Sequence, residues 1–392
     1  MNILFLLKSF EIGGVENVTV CLANYFVDHG HQVSIFAFRD AEHSIVDRLD
    51  KRVKTYVRRS LDAGKENVNA LRAVLTGDRV QVTINQWGLP FALMRTARKA
   101  AKGLNVKFVS VYHNTPDMNG RLMSVDMQLH TCRNFIGRGW LRAKRCLFHW
   151  ATAQGMRYNY RASDLYLVLS PSFVEKFKQF TGIRHPRKLQ VQTNPVTIDC
   201  GGFRFDPSRK QKEIIYVGRI DLWQKRVERI IATWALLEPR FPDWRLTLVG
   251  DGPAREEVEQ LAASRGLKRV AFEGFQDPKE YYRRASLLLL TSEFEGFGLV
   301  LVEAMSFGVI PVVYGSYSAV YDIIEDGKDG LILPYCSTGF PTATMAELLS
   351  SLLVDDKKRR VMAAAAMEKS KRYGIEIIYG EWMKKLERLV AL

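Results

Sequence analysis

Short apolar runs alternate with longer stretches of helical spacing along the whole chain. In the first half the runs fall at residues 3–7, 33–38, 53–57, 81–85, 107–112 and 165–169. Between them, residues 15–26, 68–76 and 91–102 set apolar side chains three and four apart, the period of a helix with one buried face. The segment S-P-S-F-V-E-K-F after residue 169 opens one more helix. A run that is apolar at every position reads as a strand buried on both faces. Strands alternating with helices predict a parallel sheet covered on both sides.

Residues 182–213 break the pattern with Gly, Pro and charge, and read as a linker. A second series follows, with strands at 213–217, 246–249, 270–273 and 287–291 and helices at 227–237 and 255–265. Shorter pieces fall at 281–285, 322–325 and 331–333; helices from about residue 343 finish the chain, the last an amphipathic one at 375–390. A chain of 392 residues exceeds what one core usually serves, so two domains are expected. Their expected bounds are 1–190 and 191–374, with a terminal helix at 375–392.

Composition narrows the class. No apolar run reaches the roughly 18–20 residues that cross a bilayer. The start, M-N-I-L-F-L-L-K, lacks the basic segment and cleavage site of a signal peptide and reads as a strand. The 5 cysteines are scattered without C-x-x-C spacing, which points to a reducing cytoplasm and away from zinc.

Charge is lopsided. Residues 1–192 hold 29 Lys and Arg against 14 Asp and Glu, a net of +15, while residues 193–392 hold 28 of each. Within 118–161, eight basic residues face a single acid, Asp126, and Phe135, Ile136, Trp140, Leu147 and Trp150 are interleaved with them. Such a segment suits an anionic membrane surface, peripherally at the inner face of the cell membrane. The bland alternative is a solvated basic helix packing its apolar stripe on its own domain. No recognised nucleic-acid module accompanies the charge, so no nucleic-acid partner is expected.

The candidate chemistry centres on residues 292–313, S-E-F-E-G-F-G-L-V-L-V-E-A-M-S-F-G-V-I-P-V-V. A strand enters a glycine-bearing turn, a helix follows, and Gly308 and Pro311 lead to another strand. Such a unit offers a helix N-terminus to a phosphate. Glu295 lies in the turn and Glu303 inside the apolar helix. A carboxylate is costly to bury there without partners, and ligand hydroxyls are the obvious ones. Gly218-Arg219 ends the first strand of the second series, with Lys225 six residues on. The glycine lets a ligand approach the backbone, and the two cations suit a diphosphate. Gly13-Gly14 before a helix permits close phosphate approach, though it is not a dinucleotide fingerprint. His113 follows the strand at 107–112, at the end where ligands gather in open α/β sheets.

With its glycines and strand context, E-G-F-G…E-A…G…P-V-V resembles the E-x7-E signature of retaining GT-B glycosyltransferases of the family 4 type. The resemblance implies an α/β fold with two Rossmann-like domains whose parallel sheets face a central cleft, the first binding the acceptor and the second the nucleotide sugar, with the helix at 375–392 crossing back to the first domain. It implies a metal-independent hexosyltransferase whose donor is a nucleotide-diphosphate sugar, such as a UDP-hexose or UDP-HexNAc. The nucleotide sugar is a substrate, and no cofactor or metal is expected. The acceptor would be a glycan or lipid-linked glycan in cell-surface polysaccharide synthesis. By the same resemblance Glu295 meets the transferred sugar, Glu303 holds the ribose, and Arg219 and Lys225 hold the diphosphate and stabilise the departing nucleotide. Gly13 and Gly14 reach the donor phosphate, His113 lies near the sugar, Phe275 borders the base, and Gly218, Phe297, Gly298 and Leu299 complete the donor contacts. Arg226 departs from the pattern, standing where glycine is usual, and Ser316-Tyr317-Ser318 replaces a glycine-rich turn. No D-x-D offers a metal site, so the cations are expected to take the metal's electrostatic role. Two rival readings are a sugar-nucleotide epimerase on a similar fold and a non-catalytic nucleotide-sugar-binding partner.

Overall fold

The apolar runs can only lie inside layered sheets: residues 3–7 and 33–38 are buried at every position. A computed structural model describes residues 1–39 and 45–391. The chain divides into two units, Met1–Pro195 with Ile375–Leu392, and Val196–Gly374.

The first unit runs β1 (Asn2–Leu7), α1 (Gly14–Asp28), β2 (Gln32–Ala37), β3 (Lys54–Val57), α2 (Lys65–Gly77), β4 (Val82–Asn85) and α3 (Phe91–Ala100). It continues with β5 (Lys107–Tyr112), α4 (Gly120–Thr131), α5 (Phe135–Ala162), β6 (Leu165–Val168), α6 (Ser172–Thr181) and β7 (Leu189–Val191). The sheet order is β3-β2-β1-β4-β5-β6-β7, every pair parallel. On one face Leu4, Leu6, Phe36 and Phe108 meet Leu71 and Leu75 of α2 and Met94 and Ala97 of α3 in one core.

The second unit holds β8 (Gln211–Val217), α7 (Glu228–Leu237), β9 (Arg245–Val249), α8 (Arg255–Ser264), β10 (Val270–Gly274), α9 (Lys279–Arg284) and β11 (Ala285–Leu290). Then come α10 (Leu299–Ser306), β12 (Ile310–Gly315), α11 (Ala319–Ile323), β13 (Leu331–Pro334), α12 (Thr342–Leu353) and α13 (Asp356–Ser370). Its order is β10-β9-β8-β11-β12-β13, again all parallel. The closing helix α14 (Ile375–Ala391) belongs to the first unit: its Tyr379 packs edge-on against Phe26 of α1 at 5.3 Å.

Both sheets reverse direction at their first strand. Crossovers run one way from β1 and β8 and the other way from β4 and β11, and ligands bind outside the carboxyl ends of strands at such a switch point. The strand series matches the apolar runs closely. Two places differ. Residues 189–191, inside the stretch read as linker, pair with β6 as β7, and residues 191–195 lie with the first unit. No described helix is long and apolar enough to cross a membrane.

Candidate active site

In the second unit the switch point falls between β8 and β11, so the loops leaving those strands are neighbours by topology. They carry Arg219 and Lys225 on one side and Glu295 on the other. Lys225 Nζ lies 2.6 Å from Glu295 Oε1, with both side chains largely buried. Ser292 Oγ donates to the same oxygen at 2.6 Å. A buried charge pair of this kind persists only where both ions are held by further bonds. Gln224 helps hold the two loops together. Its carbonyl accepts from the Glu293 N–H at 2.7 Å and its side chain donates to the Phe294 carbonyl at 3.2 Å.

Asp221 shapes the cation-bearing loop. Its Oδ1 accepts from the backbone N–H groups of Trp223, Gln224 and Lys225 at 3.0, 2.7 and 3.1 Å, and its Oδ2 accepts from Arg219 Nε at 2.8 Å. Burial alone would raise its carboxyl, but the Lys225 and Gln224 N–H bonds and the Arg219 charge outweigh that and leave it below the ordinary value. Arg219 itself is 61% exposed, so its guanidinium borders solvent while its anchor is buried. Arg226 sits at φ +55°, the left-handed region that favours glycine, which is where the resemblance expected one.

Backbone approaches explain the glycines. A Cβ on Gly250, after β9, would lie 1.9 Å from the Gly218 carbonyl oxygen, and one on Gly252 would lie 2.3 Å from that of Ile220. Ile220 N–H donates to the Asp251 carbonyl at 2.8 Å, so the loops after β8 and β9 pack backbone on backbone. Gly298 opens α10 at φ +84°. Its neighbour Phe297 is buried edge-on against Tyr373, Leu299 is half-buried, and Phe275 beyond β10 is exposed.

Glu303 corrects one sequence inference. Its carboxylate does not depend on ligand hydroxyls for partners, because Thr197 Oγ1 and the Tyr282 hydroxyl at 3.3 Å donate to it. Burial raises its pKa against these bonds.

The first unit gathers a different set at its own switch point, between β1 and β4. Its members are the Gly13-Gly14 turn after β1, Gln86 after β4 and His113 after β5. His113 Nε2 lies 2.7 Å from Gln86 Oε1; that amide oxygen can only accept a hydrogen bond, which keeps the ring hydrogen on Nε2. Burial pushes the imidazole down to about 3, so it is neutral. Glu16 of α1 lies over the turn, where a Cβ on Gly13 would meet its Oε2 at 2.5 Å. Burial raises this carboxyl to about 7. Gly13 itself is extended, so the crowding, not φ, favours a small residue there. Lys8 Nζ stands 5.1 Å from the Trp87 ring centroid beside this cluster. The buried Nε2 of Gln86 has no partner among the described residues.

Comparison with known proteins decides the family. The model for glycosyl transferases group 1 matches residues 203–369, and that for glycosyltransferase family 4 matches residues 12–199. The chain belongs to the GT-B glycosyltransferases of the family 4 type. A Campylobacter jejuni relative, an N-acetyl-D-galactosaminyltransferase named for a diphosphate-undecaprenol-linked glycan, is 24% identical over 98% of both chains. An exopolysaccharide phosphotransferase of Streptomyces coelicolor is 34% identical over 59% of this chain, but the chain spans only 24% of that protein. The solved structure of Anabaena HepE, a complex with UDP, matches with a TM-score of 0.76 at 18% identity over 99% of this chain and 100% of that one. Asp221, Gln224, Ser292 and Gln86 went unnoticed in the sequence. Only the Asp of G-R-I-D, two residues after the arginine at a strand end, offered a signal.

Proposed function

We propose that this glycosyltransferase moves a hexose or N-acetylhexosamine from a UDP-sugar to a hydroxyl of a glycan or lipid-linked glycan intermediate in cell-surface polysaccharide synthesis. It does so with retention of configuration and without a metal. One observation carries the reading: Lys225 and Glu295 meet at 2.6 Å at the switch point of the second sheet, with Arg219 on the same loop. The names of the Campylobacter relative and the Anabaena complex support a lipid-linked acceptor and a uridine nucleotide respectively.

The chemistry follows from charge. Breaking the bond between sugar and diphosphate builds negative charge on the departing phosphate and positive charge on the sugar. Arg219 and Lys225 stabilise the first, and donors already in place before reaction are the larger part of such catalysis. Glu295 serves the sugar. Its Oε1 is taken by Lys225 and Ser292, and Oε2 is the oxygen we assign to a sugar hydroxyl. The incoming diphosphate competes with Glu295 for Lys225, so donor binding and carboxylate placement are coupled. Glu303, already oriented by Thr197 and Tyr282, is assigned to the ribose, and Phe275 to the border of the base. The neutral His113 offers a hydrogen bond to a ligand hydroxyl without adding charge.

The test incubates the protein, in EDTA, with a panel of UDP-sugars and hydroxyl acceptors, following UDP release and the product anomer by NMR. Turnover with an α-linked product from an α-linked donor is expected. UDP-sugar binding in a thermal-shift assay without turnover on any acceptor would establish the non-catalytic reading instead. Restoration of activity only by divalent ions would remove the metal-independent role given to the cations.

A further inference from the structure

Helix α5 wears two apolar faces, and its own domain covers one of them. Leu141, Thr152, Ala153, Met156 and Asn159 are buried inward. At about 100° per residue, Ile136, Trp140, Leu147 and Trp150 fall within about 80° of arc on the other side. They are 79%, 62%, 59% and 59% exposed, and Phe135 beside them is 86% exposed. Soluble chains seldom leave so continuous a strip of large apolar side chains in water. Two tryptophans on one outward strip are especially costly there and especially suited to a membrane interface.

The charge on α5 has one sign. Lys144 lies on one flank of it and Arg142 on the other by the same helical arc, and Lys144 Nζ sits 5.0 Å from the Trp140 ring centroid. Asp126, the one acid between residues 118 and 161, is already held by Arg145. The strip continues toward the end of α5 into a 400 Å³ groove, lined by Phe91, Trp150 and Tyr158 and bordered by Arg157 and Arg161. Aromatic side chains at the depth of headgroups, with cations beside them and the one acid of α4 and α5 already paired, match an anionic lipid surface in both polarity and charge.

We propose that the outward face of α5 docks on an anionic bilayer. Ile136, Trp140, Leu147 and Trp150 enter the interface, and Arg142, Lys144 and Arg161 reach the headgroup phosphates. The docking does not depend on the donor chemistry assigned to the second unit.

Flotation with vesicles of phosphatidylcholine, alone or with 30% phosphatidylglycerol (an assay choice of about that fraction), tests it. Recovery is expected to be at least tenfold greater with the anionic vesicles and to fall in high salt, since headgroup attraction is screened. Each neutralised cation near the surface weakens binding about fivefold, so Arg142→Gln/Lys144→Gln is expected to lose about 25-fold. Trp140→Ala/Trp150→Ala is expected to abolish recovery and the blue shift of tryptophan emission on vesicle addition. Both variants are expected to keep the wild-type melting temperature and its shift with UDP, which separates this result from failure of the donor reading. Equal recovery on neutral and anionic vesicles would overturn the proposal whether or not the variants fold. So would a lipid-free dimer that Trp140→Ala/Trp150→Ala dissociates, because the strip would then be an interface between copies of this chain.

Discussion

The two switch points share a backbone plan and differ in how they keep charge. In the second unit, loops after β8 and β11 hold Lys225 against Glu295 and Arg219 against Asp221, so each buried carboxylate is paired with a cation. At the first unit's switch point, burial pushes two titratable groups toward the neutral form, His113 down to about 3 and Glu16 up to about 7. At one switch point each buried carboxylate has a cation beside it. The other offers hydrogen bonds with little charge to exchange. The same backbone plan therefore surrounds paired charges on one sheet and groups with little charge on the other.

Removing one partner of the buried pair gives the largest expected effect. Lys225→Ala is expected to lower turnover by about 100- to 1,000-fold and, by stranding Glu295, to cost about 3–5 kcal/mol of stability. Adding Glu295→Gln is expected to restore much of the stability in chemical denaturation but none of the turnover. Recovery of both together would mean that the pair serves only the fold.

Next come the glycines. Gly250→Ala forces a Cβ onto the Gly218 carbonyl at a φ of +142°. Overlap of about 1–3 kcal/mol adds to left-handed strain of about 1–2 kcal/mol. Gly13→Ala meets only the flexible end of Glu16 at an extended backbone, so its cost is expected to be several-fold smaller. Equal losses in a denaturant titration would erase this difference between the units.

The neutral groups at the first unit's switch point have a pH signature. A folded Glu16 with a pKa of about 7 against an ordinary 4.5 favours the protonated form, so its contribution is complete below pH 4.5 and is lost as pH rises to 7. Glu16→Gln removes that loss and is expected to stabilise the protein at pH 8 by an amount on the order of 3 kcal/mol. The variant and the parent should converge in stability toward pH 4.5. A difference between the two that did not vary with pH would mean that Glu16 is ionised throughout.

Arg226 gives the smallest effect. Arg226→Gly relieves a left-handed backbone worth about 1–2 kcal/mol but gives up the 2.6 Å bond to Glu228 and gains chain entropy in the unfolded state. A net stabilisation of at most about 1 kcal/mol is expected from thermal melts. A loss would show that the arginine side chain contributes more than its backbone angle costs.

Much of the second unit is legible in the sequence, because strand ends, glycines and charges there lie within a few residues of one another. Glu295, Glu303, Arg219 and Lys225 all stand on the elements expected of them. What stayed hidden depends on distant contacts. Nothing local to Glu303 names Thr197, 106 residues away, as its partner. Nothing near His113 points to Gln86. The strand at 189–191 was lost among prolines and charges, since three residues carry too little periodicity to read.

Local pattern alone fixed the alternation of strand and helix, the parallel sheets and the residues at their carboxyl ends, because period and burial are properties of short segments. Only the tertiary structure decided that Lys225 closes on Glu295 across 70 residues and that the strip on α5 faces outward. Strand order makes β8 and β11 neighbours, and the packing of α5 through Leu141 and Met156 leaves its other side in solvent. Both outcomes depend on where distant segments meet, which no single stretch of the chain encodes.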